Sequence, residues 1–429
     1  MRDSRGFWRT QPVDERSQIA TPDGSAACPP ARLELLDALR GFALLGIFLM
    51  NVEWFNRPLQ LMGTGLDPAA RGLDRVITWA IYALVQGKFW VLFSLLFGAS
   101  FALMHERAAR VGASAFAAAY WRRLAALAGF GIAHAVLLWP GDILLSYALA
   151  GVGLALMRDW PARMQRNLGL WLYAGLAGLL LLLAWQMLLP QAAQAFDSFL
   201  SGQRTQAVDA AATYAHGGWL RVTGQRWSDF RALAGGLWLQ SLSALAVFPV
   251  GVWLLRSGRL RDPSAHRVWC LRTGAVCAAC GLGLAGLAIA VQVRPVAPAP
   301  ATVLLAEGLL FASGLPLAIA WLCGALLAWQ SPHARVLLRL MAPAGRMALT
   351  NYLLQSAIAS TVFYGYGLGW WGQWGRGAQS LFVLAVFAAQ VAASRYWLSR
   401  WRYGPVEYLW RWITWRQRPA MRIAHKITP

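Results

Sequence analysis

Apolar residues in this chain come in long, unbroken blocks separated by short polar segments. They show neither the alternation of a half-buried strand nor the one-sided stripe of a surface helix. Blocks of that length predict helices that cross a bilayer. The first runs from Gly41 to Phe55, behind a charged lead-in of Arg32, Glu34, Asp37 and Arg40, and closes on Asn51, Glu53, Trp54 and Phe55. A half helix over Val76 to Val85 follows, broken at Gln86-Gly87-Lys88, and the second span continues from Phe89 to Met104. The third opens at Arg122-Arg123 and ends at Trp139-Pro140-Gly141. So short a linker makes the fourth, Asp142 to Met157, its antiparallel neighbour.

Six more blocks complete the pattern: Leu168 to Leu189, Leu233 to Leu255 with Pro249 inside it, Val268 to Val293, Ala301 to Trp329, Met347 to Phe363, and Ala378 to Leu398. The predicted fold class is all-α, a polytopic integral membrane bundle of about ten transmembrane helices. Three segments fall outside the blocks. Residues 1–31 are expected to be a disordered tail and residues 416–429 a basic tail. Residues 191–231, mixed in charge, form either a folded lid or helices lying on the surface. The membrane domain is thus residues 32–415.

Charge orients the bundle. A formal net charge of +21 over 429 residues would suggest nucleic acid in a soluble protein. Here the arginines gather in the loops after the second, fourth, sixth and eighth spans and in both tails. That distribution is the positive-inside rule with both termini cytoplasmic, in a bacterial inner (plasma) membrane. With no basic domain separate from the membrane core, nucleic acid is excluded as a partner and membrane lipids are expected. The five cysteines include a CxxC, Cys277 and Cys280, but inside an apolar helix, where packing rather than metal or redox chemistry is the expectation.

Polar residues inside the spans carry the candidate chemistry, because burying them in lipid is costly. One band lies toward the outer ends: Asn51, Glu53, Lys88, His134, Asp142 and Glu307. His134 is eleven residues past Arg123, about 16 Å into its span, and Asp142 follows it across the Trp139-Pro140-Gly141 turn. A carboxylate on the imidazole fixes its tautomer and raises its basicity, the arrangement of a general base. His134, Asp142, Lys88 and Asn51 are therefore the candidate catalytic residues, with Asn51 or Lys88 to stabilise an oxyanion. An interhelical hydrogen bond in a packed bundle is the competing account of His134. A second band, on the cytoplasmic side, contains Asp37, Arg40, Arg122, Arg123, Arg346, Asn351 and Gln355. Its arginines suit phosphates, and Asn351 and Gln355, four apart, share a helix face. Glu53, Glu307, Asp37, Arg40, Arg346, Asn351 and Gln355 are accordingly candidate substrate-binding residues. Phosphate-loop, dinucleotide and metal-ligand motifs are absent from the sequence, so no metal is predicted.

Several stretches together resemble one family. RLELLDALRGFALLGIFLMNVEWF, GKFWVLFSLLFGASFAL, GFGIAHAVLLWPGDILLSYALAGVGL, GRMALTNYLLQS and YGPVEYLWRWITW are similar to the YeiB-like bacterial membrane proteins, domain-of-unknown-function family 418. The resemblance extends from Arg32 to Trp415 and supplies a fold more than an activity. It is distantly similar to transmembrane acyltransferases that share an Asp-x-x-Arg-Gly opening, here Asp37, Arg40 and Gly41. That likeness implies an acyl group passed from a cytosolic acyl-CoA, a donor substrate rather than a tightly bound cofactor, to a glycan or lipid acceptor on the far side. The competing expectations are a small-solute transporter and a non-catalytic membrane scaffold.

Overall fold

The computed structural model describes residues 30–63, 66, 70–108, 113–293 and 299–423. The tail up to residue 29, the proline-rich connection at 294–298 and the last six residues lie outside the described residues. Every regular element among the described residues is helical, apart from one isolated bridge between Trp401 and Arg422.

Helix α1 (Pro30–Asn51) is followed by a single turn, α2 (Glu53–Asn56), and by a short 3-10 turn. Then come α3 (Gly72–Leu84), α4 (Phe89–Ala108), α5 (Ala113–Leu137), α6 (Leu144–Leu156) and α7 (Ala162–Gln186). Two helices, α8 (Pro190–His216) and α9 (Trp219–Ala234), precede α10 (Leu237–Arg256), α11 (Arg267–Gln292) and α12 (Pro300–Gln330). The chain finishes with α13 (Pro332–Arg346), α14 (Ala348–Phe363), α15 (Arg376–Leu398) and α16 (Pro405–Trp415).

Seven stretches among the described residues are long and apolar enough to cross a bilayer: residues 34–56, the α3–α4 run at 72–106, and α7, α10, α11, α12 and α15. The three remaining blocks of the sequence reading differ for physical reasons. Helix α5 has 25 residues but holds Arg122, Arg123 and His134. Helices α6 and α14 have 13 and 16 residues, short of the roughly 20 that a hydrocarbon core requires.

The core lies where α1, α4, α10 and α12 pack together. Helices α4 and α10 cross at a reciprocal pair of glycines. A methyl on Gly98 would lie 2.0 Å from the Phe248 carbonyl oxygen, and one on Gly251 would lie 2.0 Å from that of Leu95. Only glycine allows the two backbones so close, the packing that drives helix association where lipid removes the hydrophobic drive. Helices α7 and α11 expose Leu170, Trp171, Trp185, Val276 and Leu287, the outer skin of the bundle.

Both ends of the bundle carry helices that do not span. At the arginine-rich end α13 packs along α1, with Gly345 against the Asp37 backbone and Val336, Leu337 and Leu340 exposed. Helix α16 packs on α5, where Arg122 Nε donates to the Thr414 carbonyl at 2.8 Å and Arg123 sits 3.5 Å over the Trp410 ring. It also clamps the start of α14. Glu407 accepts the backbone N–H groups of Leu349 (2.7 Å) and Thr350 (3.0 Å), and the Thr350 hydroxyl at 2.5 Å. Those N–H groups have no partner within their own helix, so the carboxylate serves as a cap from outside the chain's local sequence.

At the other end α8 and α9 form a two-helix cover over a cluster of Phe48, Trp54, Phe55, Trp139, Tyr364 and their neighbours. Fully buried Arg226 fixes it, donating to the Leu137 carbonyl (2.7 Å) and the Tyr366 hydroxyl (2.5 Å), with the ring of Trp219 5.0 Å away. Asp229 accepts from Tyr214, Gln225 and Gln60 at 2.7, 2.8 and 2.8 Å. The Tyr214 carbonyl in turn accepts the Gly365 N–H at 2.8 Å, just past the end of α14.

Candidate functional site

Beneath that cover is a half-open cavity of about 430 Å³. Its walls come from α1 (Asn51), the turn before α4 (Gln86, Gly87), the α5–α6 hairpin (Trp139 to Ile143), α7 (Tyr173), α9 (Phe230, Leu233), α10 (Gln240, Ser243) and α12 (Glu307). An apolar pocket with a few convergent polar groups is the usual form of a small-molecule site.

The α5–α6 hairpin builds the most chemically specific part. His134 Nδ1 lies 2.8 Å from Asp142 Oδ1, and His134 Nε2 lies 2.8 Å from Ser356 Oγ on α14. Asp142 Oδ2 accepts the Leu145 N–H at 2.9 Å. With Asp142 as a carboxylate accepting on both sides and a neutral imidazole, the arrangement that satisfies every group has the proton on Nδ1 and the Nε2 lone pair toward the serine hydroxyl. All three residues are buried, at 1%, 8% and 3% exposure for His134, Asp142 and Ser356. Gly131 makes the approach possible, since a methyl there would lie 2.7 Å from Asp142 Oδ2 and 2.6 Å from the Leu145 nitrogen. Trp139, stacked on Phe55 at 4.7 Å, and Tyr352, 4.9 Å from the imidazole, close the sides.

A second polar group sits across the cavity. Tyr82 donates to Glu307 at 3.2 Å, Gln292 donates to the Tyr82 hydroxyl at 2.6 Å, and fully buried Lys88 donates to the Tyr82 carbonyl at 3.0 Å. Lys88 and Glu307 lie within electrostatic reach of one another without touching. Lys88 thus balances Glu307 from behind the wall, while Glu307 itself lines the cavity. Asn51 lines it as well, its carboxamide without a hydrogen bond to another described residue.

The candidate residues of the outer band do not all meet. Asn51, Asp142 and Glu307 share the cavity wall, with His134 and Lys88 directly behind it. Glu53 instead pairs with Arg57 (2.6 Å) and Arg376 (3.3 Å), tying α2 to α15. In the inner band Arg40 pairs with Asp37 at 2.6 Å and donates to Ser100 at 2.8 Å. Arg346 is exposed and reaches the Arg402 carbonyl at 3.4 Å. Asn351 and Gln355 form a buried ladder with α15: Asn351 donates to Ser394 (2.9 Å), Gln355 to Gln390 (3.0 Å), and Gln390 to the Asn351 carbonyl (3.0 Å). Their polarity joins two helices. Ser356, the residue that completes the His134 pair, adjoins Gln355 in TNYLLQS; a serine in an apolar helix gives no sign of its own of which helix it faces.

A helical bundle with seven stretches long and apolar enough to cross a bilayer and a covered polar cavity defines the class: a polytopic α-helical membrane protein. Comparison with known proteins gives the family. Residues 254–417 match the family described as "Protein of unknown function (DUF418)", and the chain belongs to that family. It is 34% identical over 395 residues to the "Uncharacterized protein YeiB" of Escherichia coli (strain K12), covering 89% of this chain and 96% of the relative. It is also 31% identical over 400 residues to the "Uncharacterized protein YxaH" of Bacillus subtilis (strain 168), covering 89% and 94%. No solved structure matches it.

Proposed function

We propose that this chain is a membrane acyltransferase of the bacterial inner membrane, with the cavity on the outer side and both termini in the cytoplasm. The observation that carries the reading is the Ser356–His134–Asp142 relay, 2.8 Å at each link, with Asp142 on the wall of a covered cavity and the other two residues buried behind it. Asp142 holds the Nδ1 proton, so Nε2 is free to accept one, the property that a nucleophile's base requires. Ser356 is buried behind the wall, so the turn at residues 139–143 must move aside for a thioester to reach it. Ser356 Oγ then attacks the thioester carbon of an acyl-CoA while Nε2 takes the serine proton. The carbon–sulfur bond breaks and the coenzyme A thiolate leaves with that proton. An acceptor hydroxyl or amine, of a glycan or a lipid, then attacks the serine ester, and its proton passes through Nε2 back to Ser356 Oγ. The carboxamide of Asn51, on the cavity wall and without a hydrogen bond to another described residue, is the group assigned to the oxyanion.

Orientation is supported by the arginine-rich end, where Arg40, Arg158, Arg256, Arg261, Arg335 and Arg346 collect opposite the cavity. The total of about ten spans takes α5, α6 and α14, each partly exposed, as crossing beside the seven apolar stretches.

One observation favours a second reading. Asp142 faces the cavity while His134 and Ser356 lie behind it, the order expected of a proton-binding carboxylate in a solute pathway. Purified protein, assayed in detergent and after reconstitution into liposomes, decides between the two. Acyl-CoA turnover that labels Ser356, and that Ser356→Ala and His134→Ala each abolish, supports the enzyme. Wild-type turnover in either variant refutes the assigned roles. Solute uptake into proteoliposomes without thioester turnover replaces the enzyme reading with the transporter.

A further inference from the structure

The arginine-rich short loop after α10 borders a second enclosed space. At the arginine-rich end, between the start of α7 and the end of α10, a second cavity of about 510 Å³ is lined by Arg163, Arg166, Arg256 and Arg259 with Trp253 and Ser257. None of the lining residues is acidic, and none of the four arginines forms an ion pair among the described residues. A cluster kept only for orientation would spread its charges into water, because like charges repel. Here they are held together. Arg256 is fixed by the carbonyls of Arg158 (2.9 Å) and Trp160 (3.3 Å). Arg259 sits in the corner between two edge-to-face indoles, 4.5 Å from the ring of Trp253 and 4.8 Å from that of Trp269, and Arg166 lies 5.1 Å from Trp253.

The unsatisfied group gives the direction. Arg259 Nε is buried and has no hydrogen-bond partner. Burial and then the neighbouring Arg166 charge lower the pKa of that guanidinium from its ordinary value, the mark of a cation without its counter-ion. Gly258, at φ +83°, makes the turn that places Arg259 over the cavity and not along the helix.

We infer that this cradle is a phosphate-binding site. Guanidinium groups converging from two helices and a turn match a tetrahedral oxyanion, and two indoles fix the central one. The ligand chemistry is a phosphate ester: the headgroup of an anionic phospholipid entering from the bilayer, or a soluble ester from the aqueous side. The site lies on the same α7 and α10 that wall the functional cavity. Ser243 and Arg256 are thirteen residues apart on α10, about 20 Å. It rests on its own residues and does not depend on the acyltransferase reading.

The test uses the full-length protein in a zwitterionic detergent, with tryptophan emission and thermal shift as readouts, because Trp253 and Trp269 flank Arg259. Pyrophosphate and a short-chain phosphatidylglycerol are titrated separately, against a short-chain phosphatidylcholine control. Either of the first two should saturate the protein, and the arm that does so names the source. Arg259→Gln and Arg163→Gln should each weaken that binding about tenfold or more. Arg259→Lys, which keeps the charge and loses the fork, should lie between, and Arg204→Gln on the far cover should bind as wild type. Saturation by neither compound, or equal weakening by Arg204→Gln, overturns the site. Should Arg259→Gln fail to fold, Arg163→Gln, an exposed position, decides alone.

Discussion

The Asp142 carboxylate does two separable things, and two substitutions at the one position should tell them apart. Oδ1 accepts from His134 and Oδ2 accepts from the Leu145 backbone, with the side chains of His134 and Asp142 at 0% and 3% exposure. In Asp142→Ala both donors lose their acceptor. At about 1–3 kcal/mol for each of the two unsatisfied groups, the cost is roughly 2–6 kcal/mol. In Asp142→Asn the backbone N–H of Leu145 cannot change its role, so the amide oxygen must face it. The amide NH2 then points at His134 Nδ1, which must become an acceptor. The proton moves to Nε2, and the bond to Ser356 reverses direction with its length unchanged. This variant should lose only about 1 kcal/mol of stability while turnover falls by about 10³–10⁴-fold. The assays are thermal unfolding of both variants in one detergent and the ¹⁵N shifts of the His134 ring. A wild-type melting temperature for Asp142→Ala, or an Nδ1-protonated ring in Asp142→Asn, would refute the geometry as described.

Two further outcomes are expected. Burial raises the Asp229 carboxyl above its ordinary value, more than the hydrogen bonds from Tyr214, Gln225 and Gln60 lower it. An acid raised on folding holds its proton longer in the folded state, so the stability of the α8–α9 cover is greatest below about pH 4 and falls as pH rises through the folded value. Hydrogen exchange over residues 219–234, corrected for intrinsic rate, should quicken across that window in the wild type and stay level in Asp229→Asn; equal slopes would rule this out. Glu407→Ala removes three hydrogen bonds from the start of α14 and should cost roughly 2–4 kcal/mol, whereas Glu407→Gln should recover more than half. Thermal unfolding of the pair checks it, and identical melting of the two would show that capping is not what Glu407 provides.

Much of the bundle is readable from the sequence because lipid leaves so few solutions. An unbroken apolar block must be a helix, and the Trp139-Pro140-Gly141 turn is too short for anything but a hairpin, which is why Asp142 meets His134. The convergence of Asn51, Asp142 and Glu307 follows from common depth. Depth gives no rotation about the helix axis, however, so Glu53 turns to Arg376 and Asn351 to Ser394 instead of to a ligand. The same limit hid Ser356. Helices α13 and α16 fall outside the ten apolar blocks because arginines interrupt each of them over less than a membrane's width. Only their packing on α1 and α5 makes them elements. Helices α5, α6 and α14 show the opposite lesson, since apolar character does not say whether lipid or protein surrounds a helix.

Helix α14 is held at both ends by protein. Glu407 grips its first turn, and Tyr214 holds the chain at Gly365 just beyond its last. Ser356 sits near the middle of this rod of roughly 24 Å. A bilayer that thickens or thins tilts the helices that face it, here α7 and α11, by fractions of a kcal/mol per ångström of mismatch. The serine's height is referred to α16 and the cover, not to the lipid. The 2.8 Å link to His134 is thereby insulated from the acyl-chain length of the membrane in which the protein sits.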